Sequence, residues 1–167
     1  ASESVTRSAD TAYEGSYSLF ISNRTNAWNG AVTSLGTEWA SGETYSFSCA
    51  VYQASGADVT MQLSLQYDTG GDTQYAHIAA GSVPSGKWTG LMNTEYQIPA
   101  GATNRYLYIE TAEDLCDFYV DAVKGEVPTQ YRKYDVNHDE KIDKTDVQEL
   151  RNFLLGEQAV VYLDTAD

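Results

Sequence analysis

Between Ser16 and about Lys124 the apolar residues recur at every second position, and that period restricts the chain more than any other feature. Successive side chains of an extended strand point to opposite faces, so alternation of apolar and polar residues belongs to a strand with one face buried. In SYSLFISN the residues Tyr17, Leu19 and Ile21 share a face, in TYSFSCAVY Tyr45, Phe47, Cys49 and Val51 do, and in VTMQLSLQY Val59, Met61, Leu63 and Leu65 do. Further strand signals stand at QYAHIA, KWTGL, RYLYIE and DFYVDAV, divided by the turn clusters SGE, ASGAD, TGGD and PSGK. Many short half-buried strands with almost no helical period among them predict a mainly β fold, two antiparallel sheets packed as a sandwich or jelly roll.

The texture changes after Val127 and Pro128, which divides the chain into a β-rich unit over 1–126 and a smaller one over 127–167. In the second, Val147, Leu150, Phe153 and Leu154 fall at helical spacing. Thr145 or Asp146 is the expected cap, and Gly156 stands where a C-terminal glycine belongs.

Charge removes several classes of partner. The 167 residues hold 10 Lys and Arg against 24 Asp and Glu, a net charge of -14. Phosphate binding needs clustered cations, so nucleic acid is not an expected partner, and an anionic membrane surface is disfavoured for the same reason. No apolar run approaches the roughly 20 residues that cross a bilayer. No charged-then-apolar leader precedes Ala1, so any signal peptide is expected to have been removed or left out. Cys49 and Cys116 lack zinc or redox spacing; either they pair once or each is a small buried hydrophobe. The 13 Tyr beside 4 Phe call for many half-buried rings with an apolar face and a polar tip.

Asp135, Asn137, Asp139, Asp143 and Asp146 occupy positions 1, 3, 5, 9 and 12 of a twelve-residue loop ahead of the helical pattern. Calcium takes six to eight oxygen ligands at about 2.3–2.6 Å, and such a loop supplies them from alternate side chains and from the carbonyl at position 7, here Lys141. A solvated helix-capping turn, the alternative, needs only one or two of these carboxylates. Position 6 is Glu140 where glycine is usual, so a left-handed backbone there would cost about 1–2 kcal/mol. A calcium loop ending in Asp, with no entering helix and the helix DVQELRNFLLG behind it, resembles the type I dockerin repeat over about 134–156. The resemblance implies calcium on Asp135, Asn137, Asp139, Lys141, Asp143 and Asp146, and a cohesin of a scaffolding protein as the partner, met by Lys144, Thr145 and Arg151. A dockerin carries two such repeats, and the chain ends at Asp167, about where a second would open.

In the β-rich unit, Tyr106, Tyr108 and Glu110 lie on one face of their strand, and Leu107 and Ile109 on the other. Rings beside a carboxylate suit a sugar polymer, whose ring faces are apolar and whose edges carry hydroxyls. Trp28 sits among Asn26, Asn29 and Gly30, poor core neighbours, whereas Trp39 and Trp88 stand beside strand starts and are expected to pack. The segments AYEGSYSLFISNRTNAWNGA, QYAHIAAGSVPSGKWTGL, RYLYIE and DFYVDAV together resemble the family 22 carbohydrate-binding modules over about residues 4–125. These are β-jelly rolls appended to xylanases that bind xylan in a cleft. The resemblance implies ligand contacts on Trp28, Tyr75, Tyr108 and Glu110, and a structural calcium on Asp121. It also implies a further strand ahead of Ala1, with a binding Arg and an acidic calcium ligand. Arg24 is a candidate ligand contact with an exposed turn residue as the alternative, and Tyr17 is expected in the core.

The expected function is therefore a non-catalytic module that targets a secreted cell-wall-degrading enzyme to xylan or a related β-glycan, with a dockerin fragment for cohesin attachment. An adaptor acting mainly through the dockerin is one alternative. A jelly-roll glycosidase is another, but it needs two facing carboxylates. Only Glu110 has such a setting, Glu113, Asp114 and Asp117 read as a turn, and His77 and His138 have no nucleophile beside them. No catalytic residue is assigned.

Overall fold

The alternating segments fold as nine strands among the described residues: β1 (Ser4–Ser8), β2 (Ser18–Ser22), β3 (Ala31–Ser34), β4 (Thr44–Gln53), β5 (Val59–Thr69), β6 (Asp72–Val83), β7 (Thr89–Gln97), β8 (Thr103–Thr111) and β9 (Phe118–Glu126). This computed structural model describes residues 3–127, 136, 137, 139, 141 and 143–156. The chain falls into two compact units, Ala1–Pro128 and Thr129–Asp167.

The strands build two antiparallel sheets, one of five in the order β1-β2-β9-β4-β7 and one of four in the order β3-β8-β5-β6. Their inner faces make the core. Tyr45, Phe47, Cys49 and Val51 of β4 are all buried, as are Val59, Met61, Leu63 and Leu65 of β5 and Leu107 and Ile109 of β8. At roughly 25 cal/mol per Å² of apolar surface removed from water, these interdigitated side chains are the main stabilising term of the sandwich.

Two features depart from the sequence reading, and a third, the cysteines, falls on one of its two alternatives. Tyr17 is outside the core, about half exposed, with the Arg7 guanidinium 3.5 Å above its ring. It precedes β2, and Leu19 on the same face is also exposed, so of the three alternating positions only Ile21 reaches the core. The edge strands β1 and β3 carry too few residues to show a period, and β1 is nevertheless paired along its length with β2. Cys49 and Cys116 are both free thiols, and burial pushes the Cys49 thiol up to about 12. Trp39 packs as expected, its indole resting where Gly125 lacks a side chain; a Cβ there would come within 2.5 Å of the ring.

In the second unit the helix α1 spans Lys144–Leu154. Its N-cap is Asp143 rather than Thr145 or Asp146: Asp143 accepts from the Thr145 N–H, and Asp146, three residues on, accepts from the Asp143 N–H in a capping box. Gly156 closes the helix as expected, with a φ of 74° and its N–H on the Phe153 carbonyl.

Candidate functional site

The outward face of the four-stranded sheet gathers the polar and aromatic residues that alternation excludes from the core. β8 supplies Tyr106, Tyr108 and Glu110, and β5, paired beside it, supplies Gln66, Ser64 and Gln62 directly opposite these three. From β6, Tyr75 stands opposite Gln66 and His77 opposite Ser64. Hydrogen bonds tie these side chains into a layer. Tyr108 Oη donates to Gln66 Oε1 at 3.0 Å, Gln62 Nε2 donates to Glu110 Oε1 at 3.1 Å, and Ser64 Oγ lies 3.3 Å from His77 Nδ1.

Burial raises the Glu110 carboxyl above the ordinary value, with hydrogen bonds from Ser64 and Gln62 holding it back. The Tyr108 phenol is also raised by burial. Tyr75, at the edge of the sheet, is 73% exposed.

At the opposite edge, the turn leading into β3 carries Trp28, 66% exposed. Its backbone is held from beneath by Arg24, which is only 8% exposed. The guanidinium donates to the carbonyls of Asn29 (2.6 Å), Cys116 (2.5 Å) and Ala27 (2.5 Å) and to Thr111 Oγ1 (2.6 Å), and lies 4.8 Å from the Phe118 ring centre. Arg24 is therefore neither an exposed turn residue nor placed to meet a ligand; its donors are used to fold the turn. Asn29 Oδ1 accepts from the Thr25 and Asn26 N–H groups. Gly30 completes the seat, since a Cβ at that position would lie 2.1 Å from the Ile109 carbonyl oxygen.

Trp28 and Tyr75, the rings expected to face water, thus stand at the two edges of a polar floor that contains Tyr108 and Glu110. Gln62, Ser64 and Gln66 were missed from sequence, although the period that buries Leu63 and Leu65 already puts them on the outward face. The sequence pattern of the family described as carbohydrate binding domain matches residues 1–115. The C-terminal family 22 carbohydrate binding module of Clostridium thermocellum Xyn10B is 40% identical, with a TM-score of 0.73 over 75% of this chain and 82% of that one.

The chain belongs to the family 22 carbohydrate-binding modules.

As a family 22 module it is a non-catalytic binding unit. A second solved structure, a xylan-binding domain of family 22, is 41% identical with a TM-score of 0.73, over 75% of this chain and 83% of that one. Endo-1,4-β-xylanase Y of Acetivibrio thermocellus is 40% identical over 175 residues, which covers 95% of this chain and 16% of that protein. The chain therefore spans about one sixth of that relative's length.

The other outward face of the module is aromatic too. Phe20, Tyr119 and Tyr52 stand side by side on β2, β9 and β4. Their rings run in contact from Phe20 to Tyr119 (4.5 Å), Tyr52 (5.9 Å), Trp88 (5.5 Å) and Tyr13 (5.9 Å). The β1–β2 connection crosses this row, where Thr11 Oγ1 accepts from Trp88 Nε1 at 3.1 Å. Asp121 clasps the same connection: its carboxylate accepts from the N–H groups of Tyr13 (2.8 Å), Glu14 (3.0 Å) and Ala122 (2.7 Å).

In the second unit, Asp146 is 2% exposed and accepts from the Val136 (2.7 Å) and Asn137 (3.4 Å) N–H groups, drawing the loop around its carboxylate. These bonds and the one from Asp143 lower its pKa, the Asp143 bond first. Asn137 Oδ1 accepts from the Asp139 N–H and Asp139 Oδ1 from that of Lys141, a succession of turns two residues apart. Oxygen donors at this register suit a hard cation. Among the described residues, no three Asp, Glu, His or Cys side chains gather into a metal-binding group. Asp135, His138 and Glu140 lie outside the described residues.

Proposed function

We propose that the module binds the backbone of xylan along the outward face of the four-stranded sheet. The observation that carries this is the pairing of two wet rings, Trp28 and Tyr75, at opposite edges of a floor of hydrogen-bonding side chains. Four strands at about 4.8 Å spacing separate the edges by about 14 Å, and Tyr75 is level with Tyr106 whereas the Trp28 turn enters β3 opposite Ile109, so a chain that meets both rings crosses the floor diagonally. Each ring covers an apolar sugar face while Tyr108 and Glu110 meet the hydroxyl edges. Xylose lacks a hydroxymethyl arm, which suits a narrow site between two rings. The description of a 41% identical relative as xylan-binding supports the same reading. In native gels containing soluble xylan, Trp28→Ala and Glu110→Ala each abolish the retardation of the wild-type module; unchanged mobility for both places the site elsewhere.

The second unit is an attachment device, one type I dockerin repeat that joins a secreted xylan-degrading parent to a cohesin through its helix. The winding of the loop around Asp146 supports this reading, and the match to xylanase Y extends into the second unit. That match covers 95% of the chain, whereas the first unit is 128 of 167 residues, or 77%. Asp135, Asn137, Asp139, the Lys141 carbonyl, Asp143 and Asp146 would hold the calcium, which neutralises their mutual repulsion and stiffens the loop. Asp121 is the carboxylate for a separate calcium in the first unit. Calorimetric titration with calcium and then with a cohesin tests the assignment. Calcium-dependent cohesin binding is expected. Its absence removes the dockerin reading, and cohesin binding without xylan binding makes the adaptor role the main one.

A further inference from the structure

The two glutamines of β5 differ in what they offer their neighbours. Gln62 gives its amide N–H to Glu110, because a carboxylate only accepts. Gln66, two positions beyond Ser64 on the same face, gives its carbonyl to the Tyr108 hydroxyl, reaching diagonally across the strand pair. A phenol has one proton and two acceptor lone pairs. Once the proton is committed to Gln66, the Tyr108 oxygen has only lone pairs to offer toward solvent.

We infer that Gln66 is a positioning residue that fixes the Tyr108 hydroxyl as an acceptor, so that the floor selects glycan hydroxyls acting as donors. The inference rests on the reading of this face as the xylan site and names what that face asks of its ligand. Tyr108 and Glu110 then present the same polarity to a bound chain, and a sugar position whose hydroxyl is capped as an ether or ester has no proton to give them. Without Gln66 the phenol proton turns freely, and the site spends part of its time offering a donor where the ligand also donates.

The test is calorimetry with xylohexaose on the full chain, comparing wild type with Gln66→Met, Gln66→Glu, Tyr108→Phe and the double variant Gln66→Met/Tyr108→Phe. Gln66→Met keeps the side-chain length and loses the acceptor; about tenfold weaker binding is expected, the effect of one hydrogen bond. Gln66→Glu keeps an acceptor for the phenol and stays within about threefold of wild type. In the Tyr108→Phe background, Gln66→Met weakens binding no further, as required of a residue that acts through another. Three outcomes overturn the inference: Gln66→Met equal to wild type, Gln66→Glu as weak as Gln66→Met, or additive losses in the double variant. Wild type that fails to bind xylohexaose overturns the underlying site assignment, and the inference with it.

Discussion

On the outward face of the five-stranded sheet, Phe20, Tyr119, Tyr52 and Trp88 lean on one another, and Tyr13 of the β1–β2 connection that crosses them leans on Trp88. On the outward face of the four-stranded sheet, Tyr108 is held by an amide, Tyr75 is open to water, and the space between is filled by Gln62, Ser64 and Gln66. Composition alone does not separate the two faces, since both are rich in tyrosine. What separates them is the partner of each ring. Rings that touch rings cover one another's faces, whereas Tyr75, set at the edge of a layer of amides and a carboxylate, keeps its face open to water.

That contrast can be broken by substitution on either face. Trp88→Ala is expected to have the largest effect, lowering unfolding free energy by about 2–3 kcal/mol in urea melts, somewhat below the loss for a fully buried Trp. Its affinity for xylan stays within about twofold of wild type; a large loss of binding would mean that the ring row also carries ligand. Tyr75→Ala reverses the pattern. Its stability changes by no more than about 0.5 kcal/mol, as for other exposed positions, while affinity for xylohexaose falls about tenfold by calorimetry. A Tyr75→Ala protein that binds as well as wild type would remove the distinction between the faces.

The smallest effect is on pH dependence. Burial holds Glu110 above the ordinary glutamate value of 4.5, so the folded chain takes up its proton more readily than the unfolded chain does. Above the folded value this group subtracts from stability, and the penalty lifts as pH falls through that value. Binding has the opposite sign, because the added proton removes an acceptor. Affinity for xylohexaose should fall a few-fold with a midpoint above 4.5, and Glu110→Gln should flatten the profile. A midpoint at or below 4.5 would place the carboxylate in open water.

The long strands were legible because β4, β5 and β8 alternate over nine or more residues, and burial of Phe47, Leu63 and Leu107 follows directly from that period. The exposed rings were legible too, since Trp28 has Asn and Gly neighbours and Tyr108 and Glu110 share a strand face. Arg24 was not. A cation in a polar turn reads as solvated, and only the fold shows four acceptors converging on it from residues up to 92 positions away. The helix cap shifted from Thr145 or Asp146 to Asp143 because the buried Asp146 is occupied in closing the loop.

The close approach of Gly30 to the Ile109 carbonyl bears on how this face could be reshaped. With no room for even a methyl group between turn and sheet, the indole is carried at one fixed height, like a fence post set directly on bedrock. Redesigning the selectivity of this lectin-like surface would therefore mean exchanging the ring itself, because inserting residues to raise the turn would first have to pry it off the strand on which it rests.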